Sequence, residues 1–260
     1  MSCEPNCVYP DPELLVLLFD TGIVDANARR LFDRDEDNGW TALHLLSNTT
    51  IEVKEDDNDS YHGYPCFGDC LGAPVMIETF FEYADKAGID LNVRDFEGRT
   101  PLHHICINRC EVKILIFLND SRIDFNVTDN EGRTPLHLAL FDNHYFKHDY
   151  YTCAHKCSDK CNESSRFLET LLKFAQKRNI NLNAVDHQGR TPFHLMCMTR
   201  CAAEIHAFRQ LATNLNCDFN FEMQDLEGKT PQDLTLTRDS IEIQRKINAK
   251  EREQKGFKYC

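Results

Sequence analysis

The sequence predicts an all-α solenoid, a row of short turn-and-helix repeats with no single centre. Three observations carry that expectation. A nine-residue phrase, Asp129-Asn-Glu-Gly132-Arg-Thr134-Pro135-Leu-His137, recurs along the chain. Its residues prescribe a turn that runs straight into a helix: Asp and Gly make the turn, Thr134 suits an N-cap, and Pro135 suits the first helical position, where its missing amide hydrogen costs nothing. Between the phrases, apolar residues fall on helical stripes, as at Ile77, Phe80, Phe81 and Ala84.

The phrase returns as Asp95 to His103, as Asp186 to His194 with Phe193 for Leu, and more loosely as Asp225 to Asp233, where Asp replaces His. An earlier version, Asn38-Gly39-Trp40-Thr41-Ala42-Leu43-His44, lacks the Pro. The anchoring glycines at 39, 98, 132, 189 and 228 are separated by 59, 34, 57 and 39 residues. A turn followed by Thr-Pro-Leu-His at a period of ~33 residues resembles the ankyrin-repeat family, and the resemblance runs over nearly the whole chain. It implies turn or hairpin tips with two antiparallel helices each: an ankyrin-repeat solenoid of about five repeats with terminal caps and two long inter-helix insertions. A second rhythm, Ile89-Asp-Leu-Asn92, Ile123-Asp-Phe-Asn126 and Ile180-Asn-Leu-Asn183, falls six residues ahead of the phrase's Asp and marks the repeat as structural.

The 260 residues carry a net charge of −13 and 42% hydrophobic residues. That apolar share suffices for a buried core. The acidic balance argues against a nucleic-acid duplex or an anionic membrane as the main partner and favours a protein with a basic segment. The apolar run Leu14 to Phe19 is shorter than a signal-peptide core or a membrane span needs, so the expected location is cytoplasmic or nuclear. The 13 cysteines, several on expected core faces, read as reduced thiols.

In order, residues 1–38 are expected to form a lead-in and capping half repeat. Residues 39–94 make the first repeat. Its first helix, from Thr41, should end near Asn48; an insertion at about 49–72, with the acidic run Glu52 to Asp59, precedes a second helix starting at Pro74. Residues 95–128 form a compact second repeat whose outer helix reads Val112, Leu115, Ile116 and Phe117. The third repeat, 129–185, should end its first helix near Asn143, hold a Cys/His-rich insertion at about 145–163, and resume with a Ser-capped helix at Ser164. Both insertions thus lie between the two helices of their repeats. Residues 186–224 make the fourth repeat, with Ile205, Phe208 and Leu211 on its second helix. Residues 225–260 make a fifth whose polar end suits a carboxyl-terminal cap. Arg109, Asn143 and Arg200 stand where a Gly usually closes the inner helix.

His44, His103, His137 and His194 share one place in Thr-x-x-His, and the resemblance assigns them to bonding the capped turn and its neighbours, not to catalysis. No glycine-rich phosphate loop, His-Glu-x-x-His or Gly-x-Ser-x-Gly turn is present, so no enzyme is expected. His148, Cys153, His155, Cys157 and Cys161 hold the residue types zinc prefers. Their Cys-x3-Cys spacing departs from the usual Cys-x2-Cys, and zinc, redox-sensitive thiols and an ordinary loop are all open readings of that insertion. Cys106 and Cys197 take the small-residue place of an inner helix.

The resemblance places partner contacts on a concave face of tips and inner helices. Here that face includes Trp40, Phe96, Arg99, Ile107, Asn130, Arg133, Phe141, His187, Arg190 and Met198. Trp40, Phe96, Ile107, Phe141 and Met198 are apolar and flanked by Arg99, Arg133 and Arg190, a composition that suits an interface hot spot. The expected function is a non-catalytic, protein-binding adaptor or inhibitor, whose general architecture resembles the ankyrin inhibitors of Rel/NF-kappaB factors. The alternative is a metal- or redox-responsive regulator acting through the Cys/His-rich insertion.

Overall fold

A computed structural model describes residues 16–17, 20–21, 38–48, 72–141, 166–200 and 202–235. The helices within those ranges are α1 (Ala42–Asn48), α2 (Gly72–Ala87), α3 (Pro101–Asn108), α4 (Glu111–Asn119), α5 (Pro135–Leu140), α6 (166–175), α7 (Pro192–Thr199) and α8 (Ala202–Asn214). Among the described residues there is no strand, and no helix is long and apolar enough to cross a membrane. Helices α1, α3, α5 and α7 pack side by side as one row, and α2 and α4 pack against each other in a second row.

Four tips are each built by one aspartate, buried at Asp95, Asp129 and Asp186 and partly exposed at Asp225. The Asp95 carboxylate accepts the amides of Glu97 and Arg99 at 2.9 and 2.8 Å, while its own amide donates to the Arg99 carbonyl. Asp129, Asp186 and Asp225 repeat this pattern. At Gly98 φ is +75°, and an added Cβ would meet the Asn130 amide at 2.8 Å, so both conformation and space require glycine. The chain then enters the helix through Thr100, Thr134 or Thr191 in an extended N-cap conformation, with Pro following.

The histidine three residues later joins neighbouring repeats. At His103, Nδ1 accepts the Thr100 amide at 3.0 Å and Nε2 donates to the Arg133 carbonyl of the next tip at 3.1 Å. His44 to Arg99, His137 to Arg190 and His194 to Lys229 make the same bridge. The carbonyl can only accept, so Nε2 carries the hydrogen and the ring is the neutral tautomer. On the opposite edge, Asn92, Asn126 and Asn183 each donate to one carbonyl and accept one amide of the following repeat, at 2.7–2.9 Å.

The core lies between the two rows: Leu102, Ile105 and Cys106 of α3, Leu136, Ala139 and Leu140 of α5, and Phe193, Met196 and Cys197 of α7 meet the outer helices. The stripe expected on α2 is buried as read, and Phe81 meets Phe117 edge-on at 5.0 Å. On α4 the expected stripe is corrected. Its buried face is Lys113, Ile114, Phe117 and Leu118, whereas Val112 and Leu115 are exposed. A lysine inside the stripe hid the true phase. Helix α2 begins at Gly72, two residues before Pro74, and α5 ends at Leu140, earlier than Asn143, because Phe141 is already extended.

Lys113 is buried because its ammonium lies 2.9 Å from the Leu46 carbonyl and 3.4 Å from that of Ser47, at the negative end of α1. The short helix α5 is closed in the same way from both sides. Arg109 donates to the Ala139 and Phe141 carbonyls, and Arg200 to that of Leu140. Arg109 thus replaces the usual closing glycine while taking the left-handed conformation itself, at φ +51°.

Candidate partner-binding surface

The tips stand in one continuous row. Phe96 N–H donates to the Asn38 carbonyl at 3.1 Å, Asn130 to Glu97 at 2.9 Å, His187 to Glu131 at 3.0 Å and Leu226 to Gln188 at 3.0 Å. Each donor residue covers the preceding tip's glycine: the Phe96 ring lies over Gly39 and the His187 ring over Gly132. The inner-helix ends belong to the same face, since the Arg190 guanidinium at the fourth tip reaches the Met198 sulfur on α7 at 4.0 Å.

The residues expected to form the partner surface divide into four groups, the arginines being the last. Phe96 is exposed, at 52%, and Ile107, Phe141 and Met198 are partly exposed, so this apolar line is accessible to a partner. Trp40 is half-buried and set edge-on against His104 at 4.9 Å, which makes it partly a joint between the first two tips. Asn130 is exposed yet donates to the Phe96 carbonyl at 2.8 Å, and His187 is exposed above Gly132.

The flanking arginines are engaged with carboxylates of their own tips. Arg133 pairs with Asp129 at 2.8 Å and with Glu131 at 2.9 Å; Arg190 pairs with Asp186 at 2.7 Å and donates to Gln188; Arg99 pairs with Glu97. Arg133 is consequently only 14% exposed. The groups left outermost are the carboxylates of Glu97, Glu131 and Glu227.

His44, Asp95 and His104 are all buried and bring potential ligand atoms within 4.8 Å of one another. Those atoms are already engaged. His44 uses both nitrogens, on the Thr41 cap and the Arg99 carbonyl; Asp95 accepts two amides on one oxygen and lies 2.9 Å from His104 Nε2 through the other. Burial alone would raise the Asp95 carboxyl, but the bonds from His104 and the Arg99 amide outweigh it and hold the group below its ordinary range. The group is a hydrogen-bonded joint between the first two tips.

Burial pushes the Cys106 thiol up and that of Cys197 up to about 11, so both stay protonated near neutrality and are poor nucleophiles. The candidate metal residues His148, Cys153, His155, Cys157 and Cys161 lie outside the described residues, as do the acidic run Glu52 to Asp59 and most of the first 38 residues. Sequence reasoning missed Lys113 and the double use of the recurring asparagines. The identical Asn at 92, 126, 183 and 220 was the available signal for the second.

A row of tips joined edge to edge and backed by paired helices defines a repeat scaffold. Its fold is the ankyrin-repeat fold, and residues 75–148 match the model of the family described as ankyrin repeats (3 copies). Among solved structures, the chain is similar to the crystal structure of the ankyrin repeat domain of Bcl-3, described as a unique member of the IkappaB protein family. The TM-score is 0.52 at 18% identity, over 90% of this chain and 77% of that one. No curated protein sequence matches the chain. Ankyrin repeat domains are generally non-catalytic modules that mediate protein–protein interactions.

Proposed function

We propose that this chain is a non-catalytic adaptor or inhibitor of the cytoplasm or nucleus that captures a basic segment of another protein on its tip face. The observation that supports this most is the apolar line Phe96, Ile107, Phe141 and Met198, which keeps solvent access on the same face as the outermost tip carboxylates. Aromatic and Met side chains carry much of the energy of protein interfaces. The net charge of −13 favours a basic partner. The likeness to Bcl-3, whose description places it in the IkappaB protein family, supports an inhibitor of that general kind.

The test is a triple variant, Phe96→Ala, Ile107→Ala and Phe141→Ala. These side chains are at least partly exposed, so the fold should survive with a loss of no more than about 3 kcal/mol. Affinity for a captured partner should fall by more than about 100-fold. Unchanged affinity in a variant whose unfolding remains cooperative would overturn the assignment.

A further inference from the structure

The tip row sets a spacing. Each tip is a turn closed by the bond from the Asp amide to the residue four ahead, and each joins the next through one backbone hydrogen bond. The inner helices that follow the tips pack side by side in one row, at about 8–10 Å from axis to axis, so equivalent residues of successive tips recur about every 10 Å. The residue two places after each Asp is exposed: Glu97, Glu131 and Glu227 have side chains 54%, 57% and 72% exposed. In the fourth tip Gln188 takes that place.

The Glu131 and Glu227 tips each hold two carboxylates, the turn-forming Asp and the Glu, beside one cation, Arg133 or Lys229, whereas at the Glu97 tip Arg94 joins Arg99 by donating to the Gly98 carbonyl at 3.1 Å. Arg133 is shared between Asp129 and Glu131, so an incoming cation at Glu131 relieves a carboxylate that has only half a partner. Beside this acidic row runs the apolar line of Phe96, Ile107, Phe141 and Met198, on the same face.

We propose that this face takes an extended segment in the polyproline II conformation with a basic residue at every third position, set against Glu97, Glu131 and Glu227, and an uncharged polar residue opposite Gln188. The proposal rests on the reading of that face as the partner surface. A polyproline II chain has three residues per turn and rises about 3.1 Å per residue, so it brings the same edge round every ~9 Å, close to one repeat. One edge then meets the acids, a second meets the apolar line, and the third is left to solvent. A β-strand has period two and would turn alternate basic residues away from the acids. A helix would need basic residues about seven apart to match the spacing.

The test uses the full chain and labelled 13-residue peptides followed by fluorescence anisotropy at low and moderate salt. One peptide carries Arg at residues 1, 4 and 10 with Gln at 7. Others carry the reversed order or the same composition with the arginines adjacent or two apart, and a longer, 22-residue helical peptide carries Arg at residues 1, 8 and 22 with Gln at 15. The period-three peptide, in one of its two directions, should bind about tenfold more tightly than its rearranged forms. Glu131→Gln should weaken it about threefold, and Gln188→Glu should shift preference to a peptide with Arg at residue 7.

Equal affinity for all spacings, or tightest binding by the helical peptide, would overturn the inference. If no peptide binds while the triple alanine variant still loses a captured protein, the inference falls and the assignment of the face stands. If that variant keeps its partner as well, both fall.

Discussion

At the level of single residues, the stack is joined by a ring with one donor and one acceptor. His137 spends its acceptor on the Thr134 cap and its donor on the Arg190 carbonyl, so one side chain closes its own turn and holds the next. Asp233 does half of this. Its carboxylate accepts the Thr230 amide at 2.9 Å and hydroxyl at 2.7 Å, which hold it below the ordinary carboxylate range, but a carboxylate has no donor for a following repeat. His137→Asp should therefore keep the local cap and lose the bridge, costing about 1–3 kcal/mol. Amide exchange should accelerate at 186–191 while 95–100 stay protected; equal protection of both would contradict the bridge.

Burial holds His103 and His137 down to about 4, against an ordinary value of 6.5. Between those values the unfolded chain binds protons that the folded chain refuses. Their contribution is thus fully present above about pH 6.5 and is lost as pH falls towards 4, by on the order of 3 kcal/mol for each ring at most. Urea midpoints across pH 7 to 4 check this: a marked fall is expected, and His103→Gln should flatten it. The cap was legible from Thr-x-x-His. A bond to the turn's neighbours was implied by the resemblance, but the particular carbonyl was not legible, because it lies 30 to 55 residues away, at a distance set by the insertions.

At the level of helices, the inner row is short. Helix α5 has six residues, most of whose carbonyls have no partner within the helix. Arginines from the repeats on either side supply those bonds, and Lys113 supplies them for α1. Lys113→Met keeps the apolar stem but leaves the Leu46 and Ser47 carbonyls without the ammonium. The expected loss is about 2–4 kcal/mol, with α1 becoming the first helix to exchange its amides. A variant as stable as the parent would show that the ammonium adds nothing to the end of α1. Hydrophobic phase located α2 correctly because its stripe contains no charge. It misplaced α4 because Lys113 sits on the buried face, where a sequence reading counts it as exposed.

At the level of the whole molecule, the order and direction of the repeats could be read from five phrases, since each turn chemistry is local. The accessible face was legible only in part. The places of Phe96, Ile107, Phe141 and Met198 followed from the repeat, but the pairing of Arg133 and Arg190 with Asp129 and Asp186 did not, because it depends on how far each side chain folds back over its own turn. That folding back leaves the acids outward and sets the sign of the expected partner.

The face assignment is tested most directly by site-specific photo-cross-linking in the full chain. A benzoylphenylalanine is placed at Phe96 or Phe141 on the tip face, or at Val112 or Leu115 on the exposed side of α4. Partner cross-links from the first pair and none from the second are the expected result. Cross-links confined to the α4 positions would contradict it.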